Sequence, residues 1–338
     1  MPQSLTRDRL VTLLDAARGH RIAIVGDAML DVYLRGDVDR ISPEAPVPVV
    51  RVRERRQALG GAANVAQNVL ALGARCELVA AIGNDAAGDR LRAELGNGGA
   101  DPRGLVAVSR PTTTKTRVVA RAQQLLRFDE EEDANLTGVD EQALRAAVER
   151  AVRDADALVF EDYNKGVLVP SVIAAGIAAA KAKGIPIVVD PKHRHFFDYQ
   201  GATVFKPNRR ELEAALGATV DVDHPDTMPA VLARLGAEHL LLTLGERGMA
   251  LFSGGGQVLR VPTTAREVYD VVGAGDTVTA WLAAMLAGGA TVREAAMVAN
   301  YAAGVEVGKL GAATVSADEV LDAFDAHGKV VDVGHAGP

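Results

Sequence analysis

A chain of 338 residues, 48% of them hydrophobic, is too apolar for a disordered protein and long enough to bury a large core. Its formal net charge of -7 argues against a nucleic-acid binder, because the only basic cluster, "RVRERR" at 51–56, reads as a solvated strand or edge. The single cysteine, Cys76, permits no intramolecular disulfide and fits a reducing cytoplasm. The charged N-terminus has no signal-peptide core, and no apolar run is long enough to cross a bilayer. The seven histidines lack metal-ligand spacing, so no structural zinc site is expected.

In chain order, short apolar runs alternate with Ala/Leu-rich stretches. "RIAIVGD" (21–27) predicts a buried strand, "GGAANVAQNVLALGA" (60–74) a helix entered by two glycines, and "CELVAAIG" (76–83) a second strand. Further strands are expected at 156–162, 184–192, 202–208 and 239–245, separated by helices at 140–153, 170–183 and 209–217. The run "TAWLAAMLAGG" predicts a helix closed by Gly288 and Gly289. Apolar strands alternating with helices imply an α/β fold with a mainly parallel central sheet covered on both faces. Two segments break the rhythm: 47–59 and 112–128 are β-branched, partly alternating and without intervening helices. They predict antiparallel strands outside the main sheet, a small β lid within about 34–59 and 112–128. "DEEED" (129–133) reads as a solvated turn.

Ligands of open parallel sheets bind beyond the carboxyl ends of the strands. Polar residues gather there: Asp27 and Asp31, Glu161 and Asp162, Asp190 and Lys192, Lys206 and Asn208, Thr243 and Gly245. The first strand lacks the GxGxxG of a dinucleotide site, and no GxxxxGK[ST] phosphate loop is present. This weighs against a nicotinamide oxidoreductase. "GAGD", residues 273–276, offers another way to hold phosphate. Glycine and alanine at a helix start let an anion approach free backbone N–H groups on the positive end of the helix. Asp276 is then either a charge that stabilises that helix start or a carboxylate placed to take a proton from a hydroxyl nucleophile.

The motifs "GDAMLD", "GGAANVA", "KPNRRELE", "TLGERGM" and "DVVGAGDTV", in that order over about residues 20 to 318, resemble the ribokinase-like (PfkB) carbohydrate kinase family. Within it, "ISPEAPVPV" followed by "GGAANVA" is most similar to the branch that phosphorylates D-glycero-β-D-manno-heptose 7-phosphate at the anomeric C1 hydroxyl. That branch acts on the way to ADP-heptose for the lipopolysaccharide core. The resemblance implies a ribokinase-like three-layer fold, one kinase domain over 1–330 and a tail at 331–338. It implies Asp276 as catalytic base and Gly273, Ala274 and Gly275 as the anion hole for the transferring phosphoryl group. Asn208 and Glu211, with Arg209 and Arg210 between them, match the N-x-x-E motif tied to Mg²⁺ and the ATP phosphates. Thr243, Gly245 and Gly248 match nucleotide positions; Asp31, Gly60, Gly61 and Asn64 match sugar contacts. Asp270 matches a monovalent-cation (K⁺) site of some relatives.

The substrate phosphate needs cations, for which Arg117, Lys192 and Arg194 are candidates; Glu161 is a further candidate on the sugar side. His193 and His195 read as surface residues, and Tyr163 and Lys165 as a turn or a border of the sugar. Val272 stands where many relatives have threonine, which weakens the case for K⁺. No second, nucleotidyltransferase part is expected in a chain that ends at Pro338. The expected partners are a sugar phosphate, ATP and a second copy in a homodimer, with no nucleic acid and no membrane. Another sugar or nucleoside kinase of the family, or an inactive sugar-binding regulator, remains open at this level.

Overall fold

The structure is a computed structural model, and it describes residues 5–327 other than 122, 266 and 267. The expected tail at 331–338 lies outside them. The helices are α1 (Arg7–Ala17), α2 (Ala62–Ala71), α3 (Ala86–Gly98), α4 (Gly138–Arg153), α5 (Pro170–Lys183), α6 (Arg209–Leu216), α7 (Met228–Leu235), α8 (Ala274–Ala287), α9 (Val292–Glu306) and α10 (Ala317–His327). The strands are β1 (Arg21–Gly26), β2 (Ala28–Ile41), β3 (Pro48–Gly61), β4 (Arg75–Gly83), β5 (Leu105–Val108), β6 (Thr114–Ala120) and β7 (Gln123–Glu130). They continue with β8 (Ala157–Glu161), β9 (Ile187–Asp190), β10 (Val204–Phe205), β11 (His239–Thr243), β12 (Met249–Ser253) and β13 (Gln257–Val261).

Nine strands form one sheet in the order β13-β12-β11-β10-β9-β8-β1-β4-β5. From β11 to β5 every pairing is parallel, and β12 and β13 close the other edge as an antiparallel hairpin. The sheet is buried on both faces, and β1 shows why its sequence is apolar throughout. Ile22 and Ile24 enter the core beneath α1, α2, α8 and α9, together with Leu10, Val65, Trp281 and Tyr301. Ala23 and Val25 enter the opposite core, with Val148, Ile173, Leu212 and Leu232 from α4 to α7. Alternate side chains of a strand face opposite ways, so a strand covered twice needs no polar positions.

β3, β2, β6 and β7 form a separate four-stranded sheet, in that order. This is the expected lid, with one correction. β2 pairs antiparallel to β3 and β6 antiparallel to β7, but β2 and β6 run parallel. The chain between them passes through β3, α2, β4, α3 and β5, a crossover long enough for parallel pairing. β3 is an edge strand, so "RVRERR" lies on an exposed rim, where Arg53 pairs with Asp37. The acidic stretch 129–133 is not a solvated turn throughout: Asp129 and Glu130 end β7, and Glu131 accepts from Lys165 at 2.7 Å and from Lys115 at 3.2 Å. The hairpin β12–β13 and helices α9 and α10 are absent from the sequence expectations.

Candidate active site

The parallel strands end along one edge of the sheet, and their last residues meet the start of α8. Gly273 takes the N-cap position with φ 98, a left-handed conformation that glycine adopts without strain. A Cβ there would lie 3.0 Å from Asn64 Nδ2 and 3.2 Å from Glu306 Oε1, so the close approach also requires glycine. Ala274 and Gly275 form the first turn of α8 at its positive end, where the Ala274 N–H reaches the Val271 carbonyl only at 3.5 Å. Gly275 is exposed, and its Cα lies over the ends of β9 and β10: a Cβ there would be 3.7 Å from Lys206 Nζ.

Asp276 is buried, 4% exposed, and both its oxygens are held by side-chain donors. Asn64 of α2 donates to Oδ2 at 2.7 Å, and the Tyr163 hydroxyl donates to Oδ1 at 2.8 Å. Burial pushes the Asp276 carboxyl up to about 6, with Asn64 and Tyr163 partly restoring its charge. A carboxylate raised toward neutrality yet held by two donors is poised to accept a proton near physiological pH. Tyr163 is itself placed by Asp27. The buried Asp27 carboxylate accepts the backbone N–H groups of Tyr163 and Lys165 at 2.8 and 3.0 Å. Burial also raises Asp27, to about 6.

Beneath Asp276 lie Glu161, Asp190 and Lys206 at the ends of β8, β9 and β10. Lys206 is 2% exposed and donates to Asp190 Oδ2 at 2.7 Å. Burial alone would lower Lys206, but Asp190 and Glu161 outweigh it and hold the ammonium above the ordinary lysine value. This buried cation under the α8 start is named in the sequence analysis only among the polar residues at the strand ends, with no role of its own. Glu161, expected on the sugar side, is fully buried below it.

Asp31, Gly60, Gly61 and Asn64 do converge. Asp31 and Gly60 are near neighbours in the lid, since a Cβ on Gly60 would lie 2.6 Å from Asp31 Oδ2. Gly61 has φ 58, and a Cβ there would lie 2.4 Å from the Asp27 carbonyl oxygen. Arg117, on the neighbouring lid strand, donates to Asp31 and stacks 5.3 Å from the Tyr33 ring centre. Arg117 therefore lies on the lid beside Asp31 with one guanidinium nitrogen already engaged. Lys192 bonds Glu211 and lies 5.2 Å from the Tyr163 ring centre, joining the start of α6 to the loop after β8. Arg194 is turned away, bonded to the Asp133 carboxylate and carbonyl. His193 meets Asn164, and His195 meets Asp198.

On the other side of α8 is a cleft of about 560 Å³. Thr243, Gly245 and Gly248 line it with Asn208, Ala274 and Gly275, and its far wall is apolar, from Val278, Ala303 and Val307. Asn208 and Thr243 are joined by a parallel bridge. Asn208 and Glu211 form a capping box on α6: the Asn208 side chain accepts from the Glu211 N–H at 2.9 Å, and Glu211 Oε2 from the Asn208 N–H at 2.8 Å. Of the two arginines between them, Arg209 pairs with Glu213 and Arg210 is exposed. Asp270 accepts from the N–H groups of Val272 and Gly311 at 3.0 and 3.2 Å, tying together the two loops that flank the α8 start. Glu306, a residue that escaped the sequence analysis, is 1% exposed beside Gly273. Burial raises it to about 8, with Asp270 and Asp276 adding to the effect.

Known proteins fit this geometry. The chain matches the pfkB family carbohydrate kinase over residues 20–319. A protein of Rhodospirillum rubrum named bifunctional protein HldE is 47% identical over 90% of this chain and 62% of its own length. The protein of the same name from Caulobacter sp. is 46% identical over 96% of this chain and 66% of its own length. The chain thus spans about two thirds of the length of these curated relatives. Among solved structures, Arabidopsis thaliana ribokinase complexed with ribose and ATP has a TM-score of 0.72 at 22% identity, covering 90% of this chain and 98% of that one. Escherichia coli phosphofructokinase-2 in complex with potassium has a TM-score of 0.75 at 20% identity, covering 91% and 99%. These likenesses establish a ribokinase-like fold. The matched span holds the central sheet, the lid and Asp276, and the chain belongs to the pfkB family of carbohydrate kinases, phosphotransferases with an alcohol group as acceptor.

Proposed function

We propose that the chain transfers the γ-phosphoryl group of ATP to the C1 hydroxyl of D-glycero-β-D-manno-heptose 7-phosphate. The observation that carries the chemistry is Asp276, raised to about 6 and held by Asn64 and Tyr163 where the lid side and the cleft meet. The choice of sugar rests on the resemblance of "ISPEAPVPV" and "GGAANVA" to heptose 7-phosphate kinases and on the HldE relatives. A bifunctional name fits longer proteins in which such a kinase is joined to a second activity.

In this account the sugar lies between the lid and α2, with Asp31, Asn64 and the Gly60–Gly61 backbone around its hydroxyls. Asp276 accepts the proton of the anomeric hydroxyl as that oxygen attacks the γ-phosphorus. The bond from phosphorus to the bridging β,γ-oxygen breaks, giving heptose 1,7-bisphosphate and ADP. The N–H groups at the α8 start and the Lys206 ammonium face the charge that spreads over the transferring oxygens. Mg²⁺, if bound with the nucleotide, would neutralise phosphate charge. Glu211 and Asn208 are the residues beside the cleft suited to its water shell, which requires Glu211 to be shared with Lys192. Arg117 and Lys192 are the cations nearest the sugar side for the 7-phosphate. The exposed apolar residues Leu126 and Phe128 on the lid edge β7 support pairing with a second copy.

The test is ADP release across a panel of free and phosphorylated sugars. The heptose 7-phosphate should give the highest kcat/KM. A higher value for ribose, fructose phosphate or a nucleoside would replace the substrate while keeping the kinase. No ADP release above background with any sugar would favour a binding protein.

A further inference from the structure

Glu306 ends α9 and carries a carboxyl group that the phosphoryl transfer described above does not use. A Cβ placed on Gly273 would meet Glu306 Oε1 at 3.2 Å and Asn64 Nδ2 at 3.0 Å. The carboxyl therefore stands directly against the N-cap of α8, beside the asparagine that holds Asp276. Glu306 is 1% exposed, and neither of its oxygens makes a hydrogen bond of ordinary geometry among the described residues. Burial raises it to about 8, helped by Asp270 before α8 and Asp276 within it, against the Ala313 N–H and Lys309. Lys309 is itself bonded to Glu319 at 2.6 Å and to the Thr314 carbonyl at 2.8 Å, and α2 carries no charged residue. A buried carboxyl with acidic neighbours and no firm donor is neutral at about pH 7 and ionises above about pH 8.

We propose that Glu306 is a positioning residue for the anion hole: its carboxyl must carry a proton for the terminal phosphoryl group of ATP to settle against the start of α8, and binding of that group draws a proton onto it. The magnitudes decide the sign. The start of a helix carries about half a positive charge, and a full negative charge a few Å behind it outweighs that attraction. A neutral carboxyl leaves the attraction intact. In return, an arriving phosphate group opposes ionisation of Glu306 and raises it further. Glu306 does not touch the phosphoryl group, because both its oxygens are covered. It acts through Gly273 and through its charge. The ATP-bound form keeps the proton to higher pH than the free chain, so turnover of the sugar phosphate at saturating ATP is spared near pH 8. The inference rests on the proposed use of ATP with its γ-phosphoryl group at the α8 start, and not on which sugar is phosphorylated.

The experiment is calorimetric titration of the full chain with ATP and Mg²⁺, without sugar, in two buffers of different ionisation heat. Tetramethylammonium is the salt, so that no small cation sits at Asp270. The wild-type chain should take up roughly half a proton on binding ATP at about pH 8.5, if the phosphate raises Glu306 by one further unit, and almost none at about pH 7. Its Kd for ATP should rise roughly fivefold from pH 7 to pH 9 on the same basis. ADP, which lacks the terminal phosphoryl group, should take up less. Glu306→Gln, which keeps the shape and cannot ionise, should show neither the uptake nor the rise in Kd; Glu306→Val carries the same expectation if the glutamine variant does not fold. ATP binding by the wild-type chain without proton uptake at pH 8.5 overturns the proposal. So does uptake that survives in the Glu306 variants, or uptake equal for ADP and ATP. A chain that binds no ATP at pH 7 overturns the nucleotide reading and this proposal with it.

Discussion

The two walls on either side of Asp276 are built in different ways. In the proposed function the sugar wall is made of polar side chains that already hold one another: Asn64 and Tyr163 on Asp276, Arg117 on Asp31, and Asp27 on the backbone of 163 and 165. The nucleotide wall is made of glycines, small apolar residues and backbone, with Gly245, Gly248, Gly275, Ala303 and Val307 around the cleft. A wall of interlocked side chains is specific and fragile, because removing one member strands its partner. A wall of backbone and small residues recognises what is common to every nucleotide, its phosphates and its flat base, and tolerates exchange of side chains. Substrate choice is therefore expected to depend on the lid and α2, and nucleotide use on the α8 start and the cleft.

The largest effect is expected where the walls meet. Asp276→Asn should lower kcat by roughly 10²–10⁴-fold while leaving both substrates bound, since asparagine keeps the shape but accepts no proton. Binding of both ligands measured beside single-turnover rates checks this, and a kcat within about threefold of wild type, under about 0.7 kcal/mol of barrier, contradicts it. A smaller, one-sided effect is expected in the sugar wall. Arg117→Ala should raise KM for the sugar phosphate roughly tenfold, the worth of a charge-assisted hydrogen bond, with little change in KM for ATP. Equal rises for both substrates would erase the distinction between the walls. The smallest effect on chemistry is expected at the lid rim. Leu126→Asp should convert a dimer to a monomer in sedimentation at tens of micromolar, roughly the regime of modest interfaces, with nucleotide affinity retained. A wild-type chain that is already monomeric there removes the lid pairing.

The central sheet was legible in the sequence because its strands are continuous apolar runs, and β1, β4, β8, β9 and β11 fall within two or three residues of the expected spans. The lid was legible for a different reason: its segments are β-branched and partly alternating, unlike the continuous apolar runs of the central sheet. The parallel pairing of β2 with β6 was not, because pairing direction is set by how the intervening chain returns. The β12–β13 hairpin carried a signal in its "GGG" turn that went unused. At the site, local motifs foretold which residues gather, but not whom they touch. That Lys192 is bound by Glu211, that Tyr163 reaches Asp276 and that Glu161 is buried with no hydrogen-bond partner among the described residues are contacts between residues 19 or more positions apart, or the lack of one. No spacing rule encodes them.

The most direct measurement is the pH dependence of kcat/KM for the sugar phosphate. A base is active only when ionised, so a carboxyl raised by burial to about 6 moves the acid limb upward from the ordinary aspartate range. The wild-type profile should be flat above about pH 7 and fall roughly tenfold per unit below about pH 6. The Asp276→Asn enzyme should be slow at every pH and lack that limb. A wild-type profile flat down to about pH 4.5, or a limb near pH 6 that survives in Asp276→Asn, would contradict Asp276 as the proton acceptor.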